Sequence, residues 1–203
     1  MKLYFSPGAC SLAPHMVARE SGIPLDLVKV DLATHTTPDG GDFYKVNARG
    51  YIPVLELDDG TRMTEASVMV QVLADRAPQS GLIPSPGSPE RYRVQEWLNV
   101  VATEIHKAFS PWLWQKGTAD STVAQVKKQL ASRFAELDWH LARRSYLVGD
   151  AFTIADAYAF TVVNWANFQS IDLKPYPNLM AWMNRVAQRP KVKEAMKAEG
   201  LIP

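Results

Sequence analysis

At 203 residues, with 47% hydrophobic and 21% charged side chains, the chain has the composition of a folded globular protein with one large core or two smaller ones. Its 22 basic and 21 acidic residues leave a formal charge of +1, which supplies no broad basic footprint for nucleic acid. No apolar run reaches the length of a membrane span, Pro7 and Gly8 interrupt what would be a leader, and the single cysteine excludes an intrachain disulfide and fits a reducing cytoplasm.

Met1 to Phe5 reads as a strand closed by the turn Pro7-Gly8. Cys10 to Ser21 has helical periodicity with Gly22 at its stop, and Pro14 is tolerated within a first turn that starts near Ser11. Leu25 to Val30 is a second strand. Residues 33 to 50 are polar and glycine-rich, a loop with room for one short helix. Val54–Leu57 and Arg62–Thr64 flank Asp58-Asp59-Gly60, a hairpin signal. A helix from Glu65 to Arg76, with Val68, Val72 and Leu73 as its expected buried stripe, completes a small α/β unit over residues 1–77.

The proline- and glycine-rich stretch 78–89 reads as a linker. Residues 90–203 read as all-helical: Val94, Trp97, Leu98, Val101 and Ile105 recur at helical spacing, as do Val123, Val126, Leu130, Phe134, Leu137 and Leu141. Thr153 and Asp156 form a helix-start signature, and shorter helices are expected at Asn178–Ala187 and Pro190–Lys197. Lys127-Lys128 and Arg143-Arg144 read as solvated edges.

Cys10 lies at the start of the first helix, where free amides and the positive helix end favour a thiolate; a small buried hydrophobe is the plainer alternative. Pro53 belongs at a strand entrance. Both cis and trans forms of Ile52–Pro53 are open, with trans the commoner state, and a cis bond would turn the Val54 backbone toward a ligand. Glu65 followed by the helix-start amides of Ala66 and Ser67 could receive a zwitterion, while ordinary capping needs the same residues. In a continuous helix Asn99 and His106 share one face, two turns apart. His106 could polarise a sulfur or serve packing, and Lys107 could reach a neighbouring cleft. Tyr4, Phe109, Trp112, Trp114 and Trp165 could line an apolar cleft or belong to cores. The four histidines, His15, His35, His106 and His140, lack metal-ligand spacing, and there is no phosphate loop or dinucleotide fingerprint.

In their order and spacing these pieces resemble the cytosolic glutathione transferases, and within them the bacterial beta class. The resemblance is carried by Met1-Lys2-Leu3-Tyr4, Ser6-Pro7-Gly8-Ala9-Cys10-Ser11-Leu12-Ala13-Pro14-His15, Gly50-Tyr51-Ile52-Pro53-Val54-Leu55, Leu98-Asn99 with Glu104-Ile105-His106-Lys107, the segment Gly149 to Tyr158, and Glu199-Gly200-Leu201. It implies a thioredoxin-like α/β N-terminal domain, an all-helical C-terminal domain and a homodimer that takes glutathione as cosubstrate, with no metal. It implies a cis bond before Pro53, a Val54 backbone that pairs with glutathione, and Glu65 holding the γ-glutamyl ammonium. The implied catalytic residues are Cys10, Ser11 and His106. His35, Tyr51, Ala66, Ser67 and Asn99 would join the glutathione site. His35 stands where the class often has lysine, and Ala66 where it usually has glycine.

The activity implied is conjugation of glutathione to small apolar electrophiles, as in detoxification, with thiol–disulfide exchange through a mixed disulfide at Cys10; peroxide reduction and dehalogenation use related chemistry. The competing expectation is a protein of the same fold that sequesters ligands without turnover.

Overall fold

The computed structural model describes all residues 1–203. The chain divides into two compact units, residues 1–83 with 189–203, and residues 84–188.

The first unit opens with β1 (Lys2–Phe5), α1 (Leu12–Ser21) and β2 (Asp26–Lys29), a right-sized crossover that lets β1 and β2 run parallel. A 3₁₀ turn at Phe43–Lys45 follows, then β3 (Val54–Glu56), β4 (Arg62–Met63) and α2 (Ala66–Asp75). The four strands lie in the order β2-β1-β3-β4, with β3 antiparallel to β1 and to β4. Tyr4 pairs with Val54 and Leu3 with Leu55. Because side chains alternate along a strand, Tyr4 and Val54 share one face of the sheet. Val30 and Phe43 bury that face, with Val28, Val46 and Ile52 at its margin.

Gly22 ends α1 in a left-handed turn, φ 70°, and its N–H reaches the carbonyls of Ala18 and Arg19. The hairpin turn is closed by Gly60, φ 82°, with the Leu57 N–H on the Thr61 carbonyl at 2.8 Å. The buried stripe of α2 is Ala66, Met69, Val70, Leu73 and Ala74, so the stripe expected on Val68 and Val72 is displaced; Val68 is exposed. Either register had helical spacing, and packing against α1 selects the one with the smaller alanines.

The expected boundary is corrected at the far end. The break at Ile83–Pro84 falls inside the stretch read as a linker, but α9 (Pro190–Ala198) packs on α1 and returns the last residues to the first unit. Arg189 fixes the return with a two-pronged ion pair to Glu20, at 2.7 and 2.8 Å.

The second unit is helical. Ser88 caps α3 (Pro89–Val100) by accepting the Arg91 N–H. The helix continues without a break as a π-helix over Val101–His106 and returns to α-helix in α4 (Lys107–Phe109). Then come α5 (Asp120–Leu141), α6 (Ile154–Val163), α7 (Trp165–Phe168) and α8 (Pro177–Ala187). Val126, Leu130, Phe134, Leu137 and Leu141 are the buried stripe of α5, as the periodicity predicts.

Every residue of α6 is buried, and Asp156 in its first turn organises the surroundings. Its carboxylate accepts from the Leu147 and Thr153 N–H groups, the Thr153 hydroxyl and the Trp182 indole, all within 3.0 Å. Burial pushes the carboxyl pKa up, and these four donors oppose the push.

Candidate functional site

In the first unit the residues expected to carry chemistry gather on the loop before α1 and the segment entering β3. The loop turns at Gly8, φ 72°, and its Ala9 N–H bonds the Ser6 carbonyl at 3.1 Å. Cys10 is half-buried, one residue before the helix cap. Its sulfur lies 3.7 Å from the Ile52 carbonyl, which ties it to the Tyr51–Val54 segment. That carbonyl accepts the S–H, an arrangement that suits a thiol.

The amides expected to stabilise a thiolate are partly spent: those of Leu12 and Ala13 bond the Ala9 and Cys10 carbonyls, and Pro14 has none. Favourable field at the sulfur therefore comes from the end of the helix as a whole rather than from those N–H groups. Ser11 is corrected from a candidate catalytic group to a brace. It is fully buried, its hydroxyl donating to the Ser6 carbonyl at 3.2 Å and accepting the Ser6 N–H at 3.3 Å.

The Ile52–Pro53 bond is cis, as the family resemblance implies and against the commoner state. The ladder between β3 and β4 ends at Leu55–Met63, so Val54 pairs with β1 on one edge and with no strand on the other. An extended peptide-like ligand could hydrogen-bond that edge as a short added strand. Tyr51 is exposed, and its carbonyl is held by the Asn47 side-chain amide at 2.7 Å.

Glu65 sits at the cap of α2 with φ 69°, a left-handed conformation that a residue with a Cβ adopts only under constraint. Its carboxylate is exposed and lies 3.8 Å from Arg49. Ala66 is buried and Ser67 half-buried behind it. His35, also at positive φ (53°), stacks on Tyr44, and its Nδ1 is buried without a partner. Tyr4 is packed into the core, its ring 5.7 Å from Phe43, so the expected cleft residue is a core residue here.

In the second unit four of the expected residues form one aromatic cluster. The Trp165 ring meets His106 edge-on at 4.9 Å, and Phe109 and Trp114 edge-on at 5.7 Å each. Trp165 and Phe109 are buried, whereas Trp114 is 46% exposed and gives the cluster an open face. Trp112 is equally exposed but joins none of these ring contacts, and Lys107 is exposed.

His106 Nδ1 lies 2.7 Å from the Tyr158 hydroxyl. Burial, aided by the neighbouring charge of Lys107, pushes its pKa down to about 4, so the imidazole is neutral near pH 7. Asn99 is exposed on α3. Its expected alignment with His106 assumed an unbroken α-helix; the π-helical stretch between them has wider turns and breaks that period.

Sequence reasoning assigned no role to three residues that touch this machinery. Tyr158 was visible only as part of a motif, Arg49 is an ordinary loop cation, and Glu199 lies near the far end of the chain. None carries a local pattern that reveals a distant partner.

Comparison with known proteins agrees with the geometry. Residues 8–76 match the family model described as glutathione S-transferase, N-terminal domain, and residues 100–190 the one described as glutathione S-transferase, C-terminal domain. The chain is 43% identical over 201 residues to glutathione S-transferase GstA of Escherichia coli O157:H7, covering 99% of this chain and 100% of that one. It superposes on a sphingomonad glutathione S-transferase complexed with glutathione with a TM-score of 0.95, at 44% identity and 100% coverage of both chains. The bacterial beta-class enzyme of Sphingomonas chungbukensis gives 0.95 and 42%, again over 100% of both. With both domain models matched in order over a fold of this similarity, the chain belongs to the glutathione S-transferase family.

Proposed function

We propose that the protein transfers glutathione to small apolar electrophiles and that Cys10 also exchanges disulfides with glutathionyl compounds. The observation that carries this reading is the half-buried Cys10, its sulfur beside the Ile52 carbonyl, next to the unpaired edge of Val54. A glutathione-bound relative with the same fold supports it.

Glutathione would lay its cysteinyl backbone along Val54. Its γ-glutamyl ammonium would meet the Glu65 carboxylate, and its α-carboxylate the amides that start α2 at Ala66 and Ser67. Tyr51, His35 and Asn99 complete the assigned contacts. The aromatic cluster of Phe109, Trp114 and Trp165, flanked by Trp112 and Lys107, takes the apolar co-substrate.

In conjugation the glutathione thiol loses its proton to solvent. The thiolate then forms an S–C bond while the leaving group departs with its bonding pair, and His106 stabilises the sulfur. In exchange, the Cys10 thiolate attacks the glutathionyl sulfur of a mixed disulfide and expels the other thiolate. A glutathione thiolate then attacks the glutathionyl sulfur of the Cys10 adduct, forming glutathione disulfide and expelling the Cys10 thiolate, so one free glutathione is consumed and the disulfide bond passes from the substrate to glutathione.

The family resemblance also supports a homodimer, and the exposed apolar residues Val68 on α2 and Tyr92 on α3 suit self-association. The lone cysteine suits the reducing cytoplasm. The test compares conjugation of chlorodinitrobenzene with glutathione-dependent disulfide reduction in the parent and Cys10→Ala. Exchange is expected to vanish and conjugation to persist in part. Glutathione binding with neither turnover, in the parent, would contradict the enzyme reading and favour ligand sequestration.

A further inference from the structure

We infer that Tyr158 is a positioning residue that fixes His106 as the tautomer protonated on Nε2, so that His106 acts as an N–H donor to the reacting sulfur and not as the base that deprotonates it. This rests on the role given to His106 above.

The two side chains come from separate elements of one unit. Tyr158 stands in the fully buried α6, itself 3% exposed, and its hydroxyl approaches His106 Nδ1 to 2.7 Å. Trp165 blocks one side of the imidazole edge-on, and the ring therefore has little freedom to turn. The imidazole is neutral, so it carries one N–H, and the Tyr158 contact decides which nitrogen holds it.

A phenol is a better donor than acceptor, and an imidazole nitrogen a better acceptor than a phenol oxygen. The pair is therefore O–H donating to Nδ1, which leaves the proton on Nε2. His106 makes no other hydrogen bond within the chain, and its Nε2 is not among the buried unpartnered atoms. Nε2–H is thus the group available to a ligand. A neutral N–H stabilises an anionic sulfur without presenting a lone pair that would draw the proton of the glutathione thiol.

The π-helical stretch bears on the same point. It ends at His106, and its extra width sets where the imidazole emerges from the helix, in the way such insertions recur at functional sites.

The experiment reads the tautomer directly. Long-range proton–nitrogen correlation spectra of the labelled protein at pH 7, with the His106 signals assigned by comparison with His106→Asn, should show the Nε2–H pattern in the parent. In Tyr158→Phe the pattern should become a mixture or switch to Nδ1–H. Conjugation by Tyr158→Phe should fall about tenfold in kcat, with the KM for glutathione unchanged within about twofold, the mark of an interaction expressed in the transition state. An Nδ1–H pattern in the parent, or a pattern unmoved by the substitution, overturns the assignment; the parent spectrum needs no variant to fold. Unchanged rates in His106→Ala would instead overturn the role of His106 in catalysis, a failure that the spectra distinguish from failure of the tautomer assignment.

Discussion

The Glu199 carboxylate accepts the Gly8 N–H at 2.9 Å, fastening the turn after α9 to the loop that carries Cys10. The same carboxylate's other oxygen lies 2.9 Å from His15 Nδ1, and both side chains are buried. A carboxylate near the end of the chain thus sets the position of a loop near its start.

Replacing Glu199 with Ala removes the buried carboxylate that accepts the Gly8 N–H and meets the His15 Nδ1. The expected loss is about 3 kcal/mol in urea unfolding, the scale of breaking one partner out of a buried polar pair. Disulfide exchange by Cys10 should slow severalfold, because the loop loses its anchor. A variant as stable and as fast as the parent would show that Glu199 plays no part in holding the loop.

Glu65 separates strain from recognition. Its φ of 69° suits glycine, so Glu65→Gly should stabilise the fold by about 1 kcal/mol in thermal or urea unfolding. The same change should raise the KM for glutathione about tenfold or more, since it removes the carboxylate assigned to the ammonium. Arg49→Ala should alter stability little, because its contact with Glu65 is long and exposed. A Glu65→Gly protein with parental KM would remove Glu65 from the site.

Asp156 should be the costliest single carboxylate to lose. Asp156→Ala leaves four donors unpaired, the Leu147 and Thr153 N–H groups, the Thr153 hydroxyl and the Trp182 indole. The expected destabilisation is about 4 kcal/mol, measured by urea unfolding, with residual folded protein still binding glutathione.

His106 makes stability depend on pH with a definite sign. Its pKa is about 4 in the folded protein and near the ordinary 6.5 when unfolded, so between these values the unfolded chain binds more protons. This contribution is complete above pH 6.5, declines as pH falls, and is exhausted near pH 4, amounting to about 3 kcal/mol. His106→Asn should flatten that limb of the stability profile. The imidazole is already neutral at pH 6 to 8, so the same substitution should remove no ionisation from the rate profile in that range.

Much of this was legible from residue order. The strand–helix–strand opening, the hairpin around Gly60 and the long stripe of α5 rest on local chemistry: alternation, glycine conformations and apolar spacing. The displaced stripe of α2 was ambiguous because Val68 and Met69 both fit a helical period, and only the tertiary partner chooses between them. The return of α9 to the first unit depends on Arg189 with Glu20 and Glu199 with Gly8, contacts whose sequence separation leaves no local trace. A catalytic Ser11 was implied by the family resemblance alone, and its orientation toward Ser6 is set by a loop geometry that spacing does not encode. The π-helical turn before His106 was hidden for the same reason: its apolar residues still recur at near-helical intervals.

The central claim is that the Cys10 sulfur is open to a glutathionyl partner in the folded protein. Intact mass spectrometry after incubation of the native protein with glutathione disulfide tests it most directly. One glutathionyl adduct, mapped to Cys10, absent from Cys10→Ala and released by excess glutathione, is the predicted result. A native protein that stays unmodified while its denatured form reacts would contradict the claim.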